Sequence, residues 1–430
     1  MIIKRIRIDG FRNVIDTTIE FNNSISALLG LNNYGKSNIL EGIEFAKTFM
    51  DKQPKIKAKM MKDTLRLPIN IETAERDFFF EIEFISDFEE KIVKYLFSFE
   101  WIKNGGKGAR VKSELLQVKN METNKFQTYF KRNENEAFYK SSLTGRVDSK
   151  IVIKENELVL NTLDMNYDLF YSDILDEIYS TSFSLNSLLD INSAFSVISI
   201  FDDEDDDDWG YHFDGNNGGN IARVIYNLHK NHLDKYELLI DSLKSLIPSI
   251  EIVEPIVVDF KSQTKIDSHD VPFKIPEKIY DIRIKEKFNN QSSSIKTLST
   301  GTKRLVLLLT SVILADIKNV SLILLEELEN SIHPHLFQRL LITLTDICEN
   351  CKIVISSHSP YLVNYLSLEN IYVSVPSQCG TAQFKTVKKT MHKRLYKNAR
   401  DSGITIGDCL FDMLIESIDD ESNFCSYFEC

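Results

Sequence analysis

The stretch GLNNYGKS at residues 30–37 constrains the fold more than any other part of the sequence. It fits the pattern G-x-x-x-x-G-K-[ST], which binds phosphate when it lies between a strand and a helix. The preceding residues SISALLG are typical of a strand, and Ile39, Leu40 and Ile43 follow at helical spacing. The sequence therefore predicts a strand, a phosphate-binding loop and a helix, a unit found in α/β domains.

The chemistry of such a loop follows from its backbone and from two side chains. Backbone N–H groups surround the phosphate, and the positive end of the following helix adds to the attraction. Lys36 is predicted to reach the β and γ phosphates of ATP, and Ser37 to ligate Mg²⁺. The residues predicted to bind the nucleotide here are Gly30, Asn32, Asn33, Tyr34, Gly35, Lys36, Ser37 and Asn38.

A second predicted strand ends on adjacent carboxylates. Residues 321–334 read SLILLEELENSIHP, and their apolar run lacks alternation, as in a strand covered on both faces of a parallel sheet. Glu326 and Glu327 then lie at the carboxyl end, where open α/β sheets place their ligands. Beside a phosphate loop, Glu326 is predicted to ligate Mg²⁺ and Glu327 to act as the general base. The alternative is a solvated helix start whose glutamates are stabilised by the helix dipole.

Two further stretches of polar residues lie at the end of a predicted strand or at the start of a predicted helix. Residues 297–304 read TLSTGTKR, where Ser299 and Gly301 precede an apolar helix expected from Lys303. This turn either meets an anion at a helix N-terminus or is an ordinary N-cap. Residues 353–362 read IVISSHSPYL, where His358 follows a strand end as the glutamates follow theirs. A lone histidine is more often structural than catalytic, so its role depends on the other motifs.

Length and composition bound the remaining function classes. The 430 residues exceed a usual single core, so two domains or one domain with an insertion are expected. No run approaches a membrane span and MIIKRIRIDGF lacks a signal-peptide core, which predicts a cytoplasmic protein without a membrane partner. The formal net charge of −12 disfavours a broad nucleic-acid footprint. The basic segment 384–400 keeps contact with DNA or RNA open.

The pattern changes several times along the chain. Short segments such as FFFEIEFI, RVKSELLQV and KIVIKENELVL, between about 70 and 160, predict antiparallel strands. Residues 165–250 read mainly as helix around an acidic stretch at 202–208, which predicts a solvated, mobile loop. The predicted segments are 1–160 (first half of a nucleotide-binding head with a β lobe), 161–255 (helical insertion with the acidic loop), 256–375 (second half of the head) and 376–430 (extension, a candidate partner-binding segment).

The order and spacing of these motifs resemble the ATP-binding-cassette type ATPases of the RecF, SMC and OLD group. The likeness is greatest to AAA-family ATPases of bacterial anti-phage systems such as Septu and PARIS, and it spans residues 1–47 and about 280–366. It implies an α/β fold, with an ABC-type ATPase head of mixed β-sheet and P-loop, an antiparallel β lobe and a helical insertion. In this pattern LSTGT corresponds to the signature motif, LILLEELENSIHP to Walker B with the dimer loop, and ISSHSP to the switch histidine.

The resemblance also implies roles that the residues alone do not. Arg12 and Asn13, in the segment Phe11-Arg12-Asn13, would lie near the adenine and ribose. Ser299 and Gly301 would act in trans on the γ-phosphate of a partner, which implies a homodimer or a higher oligomer of dimers. Leu328 stands where relatives often have proline, and no glutamine loop is assigned. The departure at Thr300, where many relatives carry an acidic or small residue, removes no catalytic group.

Three functions compete at this stage. The first is an ATPase that dimerises head to tail and regulates a partner effector, expected to be a nuclease, in anti-phage defence. The second is a RecF-like ATP-dependent DNA-binding or repair protein. The third is an OLD-type nuclease, disfavoured because about 70 residues follow His358, fewer than such a domain needs. The acidic balance favours the first function over the second.

Overall fold

The chain divides into two compact units, which are described separately. The computed structural model describes residues 1–63, 69–88, 90–103, 106–121, 125–166, 168–186, 221–259, 278–330, 332–348, 351–377, 379–416 and 426–428. Unit 1 comprises residues 1–185, 319–328 and 350–430, and unit 2 comprises residues 186–318 and 329–349. The four segments predicted from the sequence remain a prediction, and the acidic stretch 202–208 lies outside the described residues.

The described strands and helices follow in chain order. The strands are β1 Ile2–Asp9, β2 Thr17–Glu20, β3 Ile25–Leu29, β4 Phe78–Ile85, β5 Lys91–Glu100, β6 Arg110–Asn120, β7 Gln127–Asn133, β8 Glu136–Lys140, β9 Val147–Ile151, β10 Phe183–Asn186, β11 Ile250–Asp259, β12 Lys278–Glu286, β13 Ser293–Ser294, β14 Leu322–Glu326, β15 Lys352–Ser357, β16 Ile371–Pro376 and β17 Ala382–Thr386. The helices are α1 Lys36–Asp51, α2 Pro54–Met60, α3 Val159–Asn166, α4 Ser172–Ser180, α5 Ile221–Asn231, α6 Leu233–Leu246, α7 Thr300–Ile317, α8 Phe337–Ile347, α9 Pro360–Val363, α10 Lys389–Ser402 and α11 Ile406–Glu416.

Unit 1 contains two sheets of different kinds. The first is eight-stranded and antiparallel, in the order β2-β1-β4-β5-β6-β7-β8-β9. The second is six-stranded, in the order β10-β14-β15-β3-β16-β17, and is mixed because β14, β15, β3 and β16 run parallel while β17 is antiparallel to β16. These sheets confirm the predicted α/β class, with a mixed sheet and an antiparallel β lobe.

Helix α1 belongs to the cores of both sheets of unit 1. Its buried face contains Ile39 and Ile43 near its start and Phe49 near its end. Phe49 stacks on Phe97 and Phe99 of β5, with ring centroids 5.4 and 4.8 Å apart. The helix that begins at the phosphate loop therefore ends in the aromatic core of the antiparallel sheet.

Unit 2 is built around helices and a small antiparallel sheet, β11-β12-β13. Helix α6 packs against both α7 and α8, and α5 packs against β11 and β12. The Nζ of Lys235 on α6 lies 2.7 Å from a carboxylate oxygen of Asp316 on α7. Helix α7 is apolar through most of its length, and eleven of its residues, between Leu305 and Ala315, are buried.

Two element boundaries differ from the sequence predictions. The stretch KIVIKENELVL was expected to be a strand, but β9 ends at Ile151 and α3 begins at Val159. Glu114 of β6 explains the helix, because its carboxylate accepts hydrogen bonds from the N–H groups of Val159 and Leu160, at 2.5 and 2.9 Å. The long helix expected from Lys303 begins three residues earlier, at Thr300. Within the described residues, the structure has no helix with the length and apolarity to cross a membrane.

Candidate nucleotide-binding site

Three parallel strands of the mixed sheet end at the same edge, and polar residues lie at these ends or in the loops that follow them. In the register, Glu326 of β14 is paired with Ser356 of β15, and Ser356 is paired with Leu28 of β3. The loop after β3 carries Lys36, and His358 follows β15. With neighbouring strands about 4.8 Å apart, the carboxylate strand lies about 10 Å from the phosphate-loop strand, with the histidine strand between them. The structure thus brings the three predicted motifs of unit 1 to one edge.

The predicted phosphate loop has a buried lysine and an exposed serine. The Nζ of Lys36 donates hydrogen bonds to the carbonyl oxygens of Gly30 and Leu31, at 2.7 and 2.9 Å. Ser37, Asn32 and Asn33 are exposed. The first turn of α1 contains no acidic residue, so no carboxylate there offsets the positive end of the helix dipole. A bound phosphate group would replace these carbonyl oxygens as the hydrogen-bond acceptor of Lys36.

Both glycines of the loop are required by close packing. A Cβ on Gly30 would lie 2.9 Å from the Cβ of Ser374 on β16. Gly35 has φ of 81°, a left-handed conformation that favours glycine, and its Cβ would lie 2.5 Å from the Cβ of Ala382. The Oγ of Ser374 also donates to the carbonyl of Tyr34 at 2.9 Å. The hairpin β16–β17 therefore fixes the shape of the loop, a contribution that no sequence motif indicated.

Arg12 and Asn13 lie against the first turn of α1. The side-chain carbonyl of Asn13 accepts a hydrogen bond from Nδ2 of Asn38 at 2.7 Å. The backbone of Asn13 accepts from the N–H of Ala382 at 2.7 Å, and its Nδ2 donates to the carbonyl of Gly380 at 3.2 Å. Arg12 has φ of 51° and donates from Nη1 to Oδ1 of Asn38 at 3.0 Å. Both predicted residues are thereby placed beside the phosphate loop, although their roles toward a nucleotide remain a prediction.

The carboxylate pair combines an ordinary strand residue with a strained one. Glu326 is the half-buried last residue of β14. Glu327 has φ of 46°, although it is not glycine, and its N–H donates to the carbonyl of Ser356 at 3.0 Å. Such a backbone conformation costs on the order of 1 kcal/mol or more and persists where the surrounding structure fixes it, often at functional sites. The strain indicates that the direction of the Glu327 side chain is imposed by the fold.

His358 is exposed in the turn between β15 and α9. Its position is set by its neighbours, because the N–H of Ser359 donates to Oγ of Ser357 at 3.0 Å. Ser359 in turn caps α9 by accepting from the N–H of Tyr361 at 3.3 Å. The histidine is thus carried on a turn of fixed geometry at the same sheet edge as the glutamates.

Ser299 and Gly301 belong to unit 2 and are described with it. Ser299 is the N-cap of α7, and its Oγ accepts from the N–H of Thr302 at 3.2 Å. Gly301 lies in the first turn of that helix, and this first turn contains no acidic residue. The turn therefore has the ordinary N-cap geometry that the sequence left open, and a helix start of this kind can also accept an anion.

Glu41 is a charged residue of the cluster that the sequence reasoning missed. Its carboxylate oxygen lies 2.5 Å from Nη2 of Arg12. Burial raises the pKa of the Glu41 carboxyl, the nearby Arg12 lowers it, and the negative charge of Glu326 raises it further. The sequence did contain a signal that Glu41 lies near Asn38. Glu41 is three residues after Asn38, a spacing that makes helix residues neighbours, and both lie between the buried positions Ile39, Leu40 and Ile43 or next to them.

The side chains at this edge fit a magnesium nucleotide. The hydroxyl of Ser37 and the carboxylate of Glu326 are the hard oxygen ligands that Mg²⁺ prefers. Lys36 supplies a cation beside a helix start whose first turn contains no acidic residue. Lys36, Ser37 and the loop are therefore suited to the phosphates, and Ser37 and Glu326 to the metal.

Comparison with known proteins gives a family and a set of distant structures. The AAA ATPase domain family matches residues 1–363. No curated protein matches the chain. One similar solved structure is an SMC head bound to the C-winged helix domain of ScpA, with 14% identity, 91% of this chain and 99% of that chain covered, and a TM-score of 0.49. A second is the SMC head domain from Thermotoga maritima, with 14% identity, 90% of this chain and 100% of that chain covered, and a TM-score of 0.43. A third is an SMC head domain with an extended coiled coil bound to the C-terminal domain of ScpA, derived from Pyrococcus furiosus, with 12% identity, 93% of this chain and 99% of that chain covered, and a TM-score of 0.46. Since the family match covers most of its length, the chain belongs to the AAA ATPase domain family and is an ATPase.

Proposed function

We propose that ATP binds at the edge of the mixed sheet and is hydrolysed there by the residues of the three strand ends. The observation that carries this proposal is the shared edge of β3, β14 and β15, because it brings a buried lysine, two carboxylates and a histidine together. Lys36 neutralises the β and γ phosphates. Ser37 and Glu326 would hold Mg²⁺, and the bound ion would offset the remaining phosphate charge.

Glu327 is the proposed general base, and its role follows from its position. The strained backbone directs it away from the strand, next to the residue that would hold the metal. There it accepts the proton of the attacking water, while His358 contacts the γ-phosphate from the neighbouring strand end. Arg12 and Asn13 bind the nucleoside side, where Asn38 connects them to the phosphate loop.

The second element of the proposal is a head-to-tail homodimer. Lys36, Ser37, Glu326 and Glu327 surround one side of the triphosphate, and the resemblance assigns the other side to Ser299 and Gly301 of a partner. The start of α7 supports this role, because its first turn offers backbone N–H groups and contains no carboxylate. An isologous dimer of this kind contains two equal composite sites.

Mixing two inactive variants tests the composite site. Lys36→Ala removes phosphate binding and Ser299→Arg blocks the trans contact, so each homodimer is expected to be inactive. Their heterodimer contains one intact site, and mixing is expected to restore about a quarter of the parental ATPase activity per chain if protomers exchange at random and each site turns over independently. A monomer with full activity at every concentration would contradict the composite site.

The third element is the partner. We propose that ATP-driven closure regulates an effector, expected to be a nuclease, in bacterial anti-phage defence; this rests on the resemblance to Septu- and PARIS-type ATPases. The test is to purify the tagged chain from its native host in parental form and as Glu327→Gln. A co-purifying protein whose nuclease activity differs between ATP and ADP supports the proposal. The absence of any nucleotide-dependent partner activity counts against it.

A second candidate function, a RecF-like DNA-binding ATPase, is favoured by one surface. Helix α10 exposes Lys389, Lys393, Lys397 and Arg400 on one face, and Tyr396 on the same helix is 53% exposed. Four cations and an aromatic ring suit phosphate contact and base stacking. Lys393→Glu is expected to weaken binding of a fluorescent oligonucleotide and to reduce its salt dependence. Equal oligonucleotide binding by the parental protein and by Lys393→Glu would reject the DNA-binding function.

A further inference from the structure

Arg12 and Glu41 form a closely paired side-chain unit beside the phosphate loop. Nη2 of Arg12 lies 2.5 Å from one carboxylate oxygen of Glu41, and Nη1 donates to the other at 3.3 Å. The two side chains are 24% and 34% exposed, so the pair is shielded from much of the solvent. A two-point pair between guanidinium and carboxylate restricts the plane of the guanidinium as well as its distance.

The backbone and the remaining contacts of Arg12 restrict it further. Its φ of 51° is a left-handed conformation, which is unfavourable for a residue with a Cβ. Its carbonyl accepts from the N–H of Asn70 at 2.9 Å, and Nη1 also donates to Asn38 at 3.0 Å. Within the described part of the chain, its buried Nε has no hydrogen-bond acceptor. The fold thus holds a strained arginine whose hydrogen bonding is incomplete.

Glu41 connects this arginine with the carboxylate strand. It lies one turn into α1, the helix that begins at Lys36. Its charge interacts favourably with Arg12 and unfavourably with Glu326. The unfavourable interaction and the partial burial both cost free energy, whereas a neutral residue at this position would avoid them. The pair with Arg12 is the feature that offsets these costs.

We infer that Glu41 is a positioning residue of the nucleotide site, which holds the Arg12 guanidinium in place to bind ATP. The inference rests on the proposed function of the strand-end cluster. Glu41 itself contacts neither ATP nor the metal. Its loss therefore weakens nucleotide binding through Arg12 and leaves the chemical step intact.

The alternative roles of Glu41 give different results. A residue that only stabilises α1 would alter the unfolding free energy but not the binding of ATP by folded protein. A residue that acts on the metal through Glu326 would alter the Mg²⁺ concentration needed for half-maximal activity. A residue that acts through Arg12 would have no further effect once Arg12 is absent.

A double-mutant cycle separates these roles. The dissociation constant of a fluorescent ATP analogue, the KM for ATP, kcat and the Mg²⁺ dependence are measured for the parental protein, Glu41→Gln, Arg12→Ala and the double variant. Glu41→Gln is expected to raise the dissociation constant and KM about three- to tenfold, with kcat changed less than about twofold. In the Arg12→Ala background the same substitution is expected to have no effect on binding. Glu41→Asp keeps the charge on a shorter side chain and is expected to restore part of the affinity.

Glu44→Gln is the matched control, because Glu44 is an exposed glutamate of the same helix. It is expected to bind the analogue as the parental protein does. Independent, multiplying effects of Glu41→Gln and Arg12→Ala, an altered Mg²⁺ dependence, or unchanged binding by Glu41→Gln would each overturn the inference. Lys36→Ala separates rejection of the role of Glu41 from rejection of the proposed nucleotide site. If Lys36→Ala binds the analogue as the parental protein does, the phosphate loop itself is rejected.

Discussion

The two sheets of unit 1 are built from different side chains and hold their polar groups in different ways. The antiparallel sheet has an aromatic core, in which Phe78, Phe97 and Phe99 are fully buried. The strands of the mixed sheet that meet at the candidate site are mainly aliphatic, and two of them, β14 and β15, end on polar residues. Glu327, with its left-handed backbone, lies at that polar edge. From this difference we expect the antiparallel sheet to contribute mainly to stability and the mixed sheet to hold the proposed nucleotide site.

Helix α1 connects these two tasks. Its start contains Lys36 and Ser37, and its end packs on the aromatic core through Phe49. The end is also held by polar contacts, since the carbonyl of Met50 accepts from Nζ of Lys57 at 3.1 Å and from Nδ2 of Asn161 at 3.0 Å. Substitutions at the two ends should therefore have separable effects on stability and on binding.

The largest effect on stability is expected from Phe99→Ala. The Phe99 ring lies 4.8 Å from the centroids of Phe49, Phe78 and Trp101, so its removal leaves a cavity in the aromatic core. The free energy of unfolding is expected to fall by about 3–5 kcal/mol, measured by urea denaturation. Phe88→Ala, at a side chain that is 65% exposed, is the control and should change it by less than about 0.5 kcal/mol. Equal effects at both positions would contradict the prediction that the buried aromatic core supplies this stability.

The opposite result is expected from Lys36→Ala. The dissociation constant for a fluorescent ATP analogue should rise by roughly two orders of magnitude or more, because the loop loses its phosphate-binding cation. The free energy of unfolding should change far less than in Phe99→Ala, since Nζ of Lys36 donates hydrogen bonds to the carbonyl oxygens of Gly30 and Leu31 in its own loop. Unchanged affinity for ATP would reject the assignment of the phosphate loop.

A smaller, pH-dependent effect is expected from Lys57→Met. Burial lowers the pKa of Lys57 to about 8 in the folded protein, whereas a lysine in an unfolded chain titrates near 10.4. Between these values the unfolded chain binds the proton that the folded protein has lost, so this lysine makes stability rise with pH, by at most about 1.4 kcal/mol per pH unit. Below pH 8 both states hold the proton and the slope disappears.

Urea denaturation of both proteins from pH 7 to 10 measures this slope. The parental protein should gain stability relative to Lys57→Met above pH 8. Lys150→Met, at a lysine whose side chain is 61% exposed, is the control and should follow the parental pH profile. Parallel profiles for the parental protein and Lys57→Met would show that Lys57 does not titrate in this range.

The sequence predicted local features better than contacts between distant segments. The phosphate loop and the glutamate strand are short patterns whose local structure is determined by residues that are adjacent in the sequence. Both could therefore be predicted from residues 30–37 and 322–327. The helix α3 was missed because its start is stabilised by Glu114, which lies 45 residues away from Val159 in the chain. The support of the loop by Ser374 and Ala382 was missed for the same reason.

The pairing of Arg12 with Glu41 shows the same limit at the site itself. Arg12 was assigned from the resemblance, whereas its partner on α1 carries no motif. Spacing on one helix could have placed Glu41 beside Asn38, but not beside an arginine that lies before β2. Which strand ends become neighbours is likewise set by sheet order, in which β15 separates β14 from β3.

The most direct test of the account is to measure binding and turnover of ATP by Glu327→Gln in the same preparation. The substitution keeps the size of the side chain and removes the base. We expect an unchanged dissociation constant for the fluorescent ATP analogue and a kcat lower by roughly 10² or more. ATP should also hold the protein in its dimeric form, observed by light scattering. Hydrolysis at the parental rate would contradict the account, because Glu327 would then not be the general base of this site.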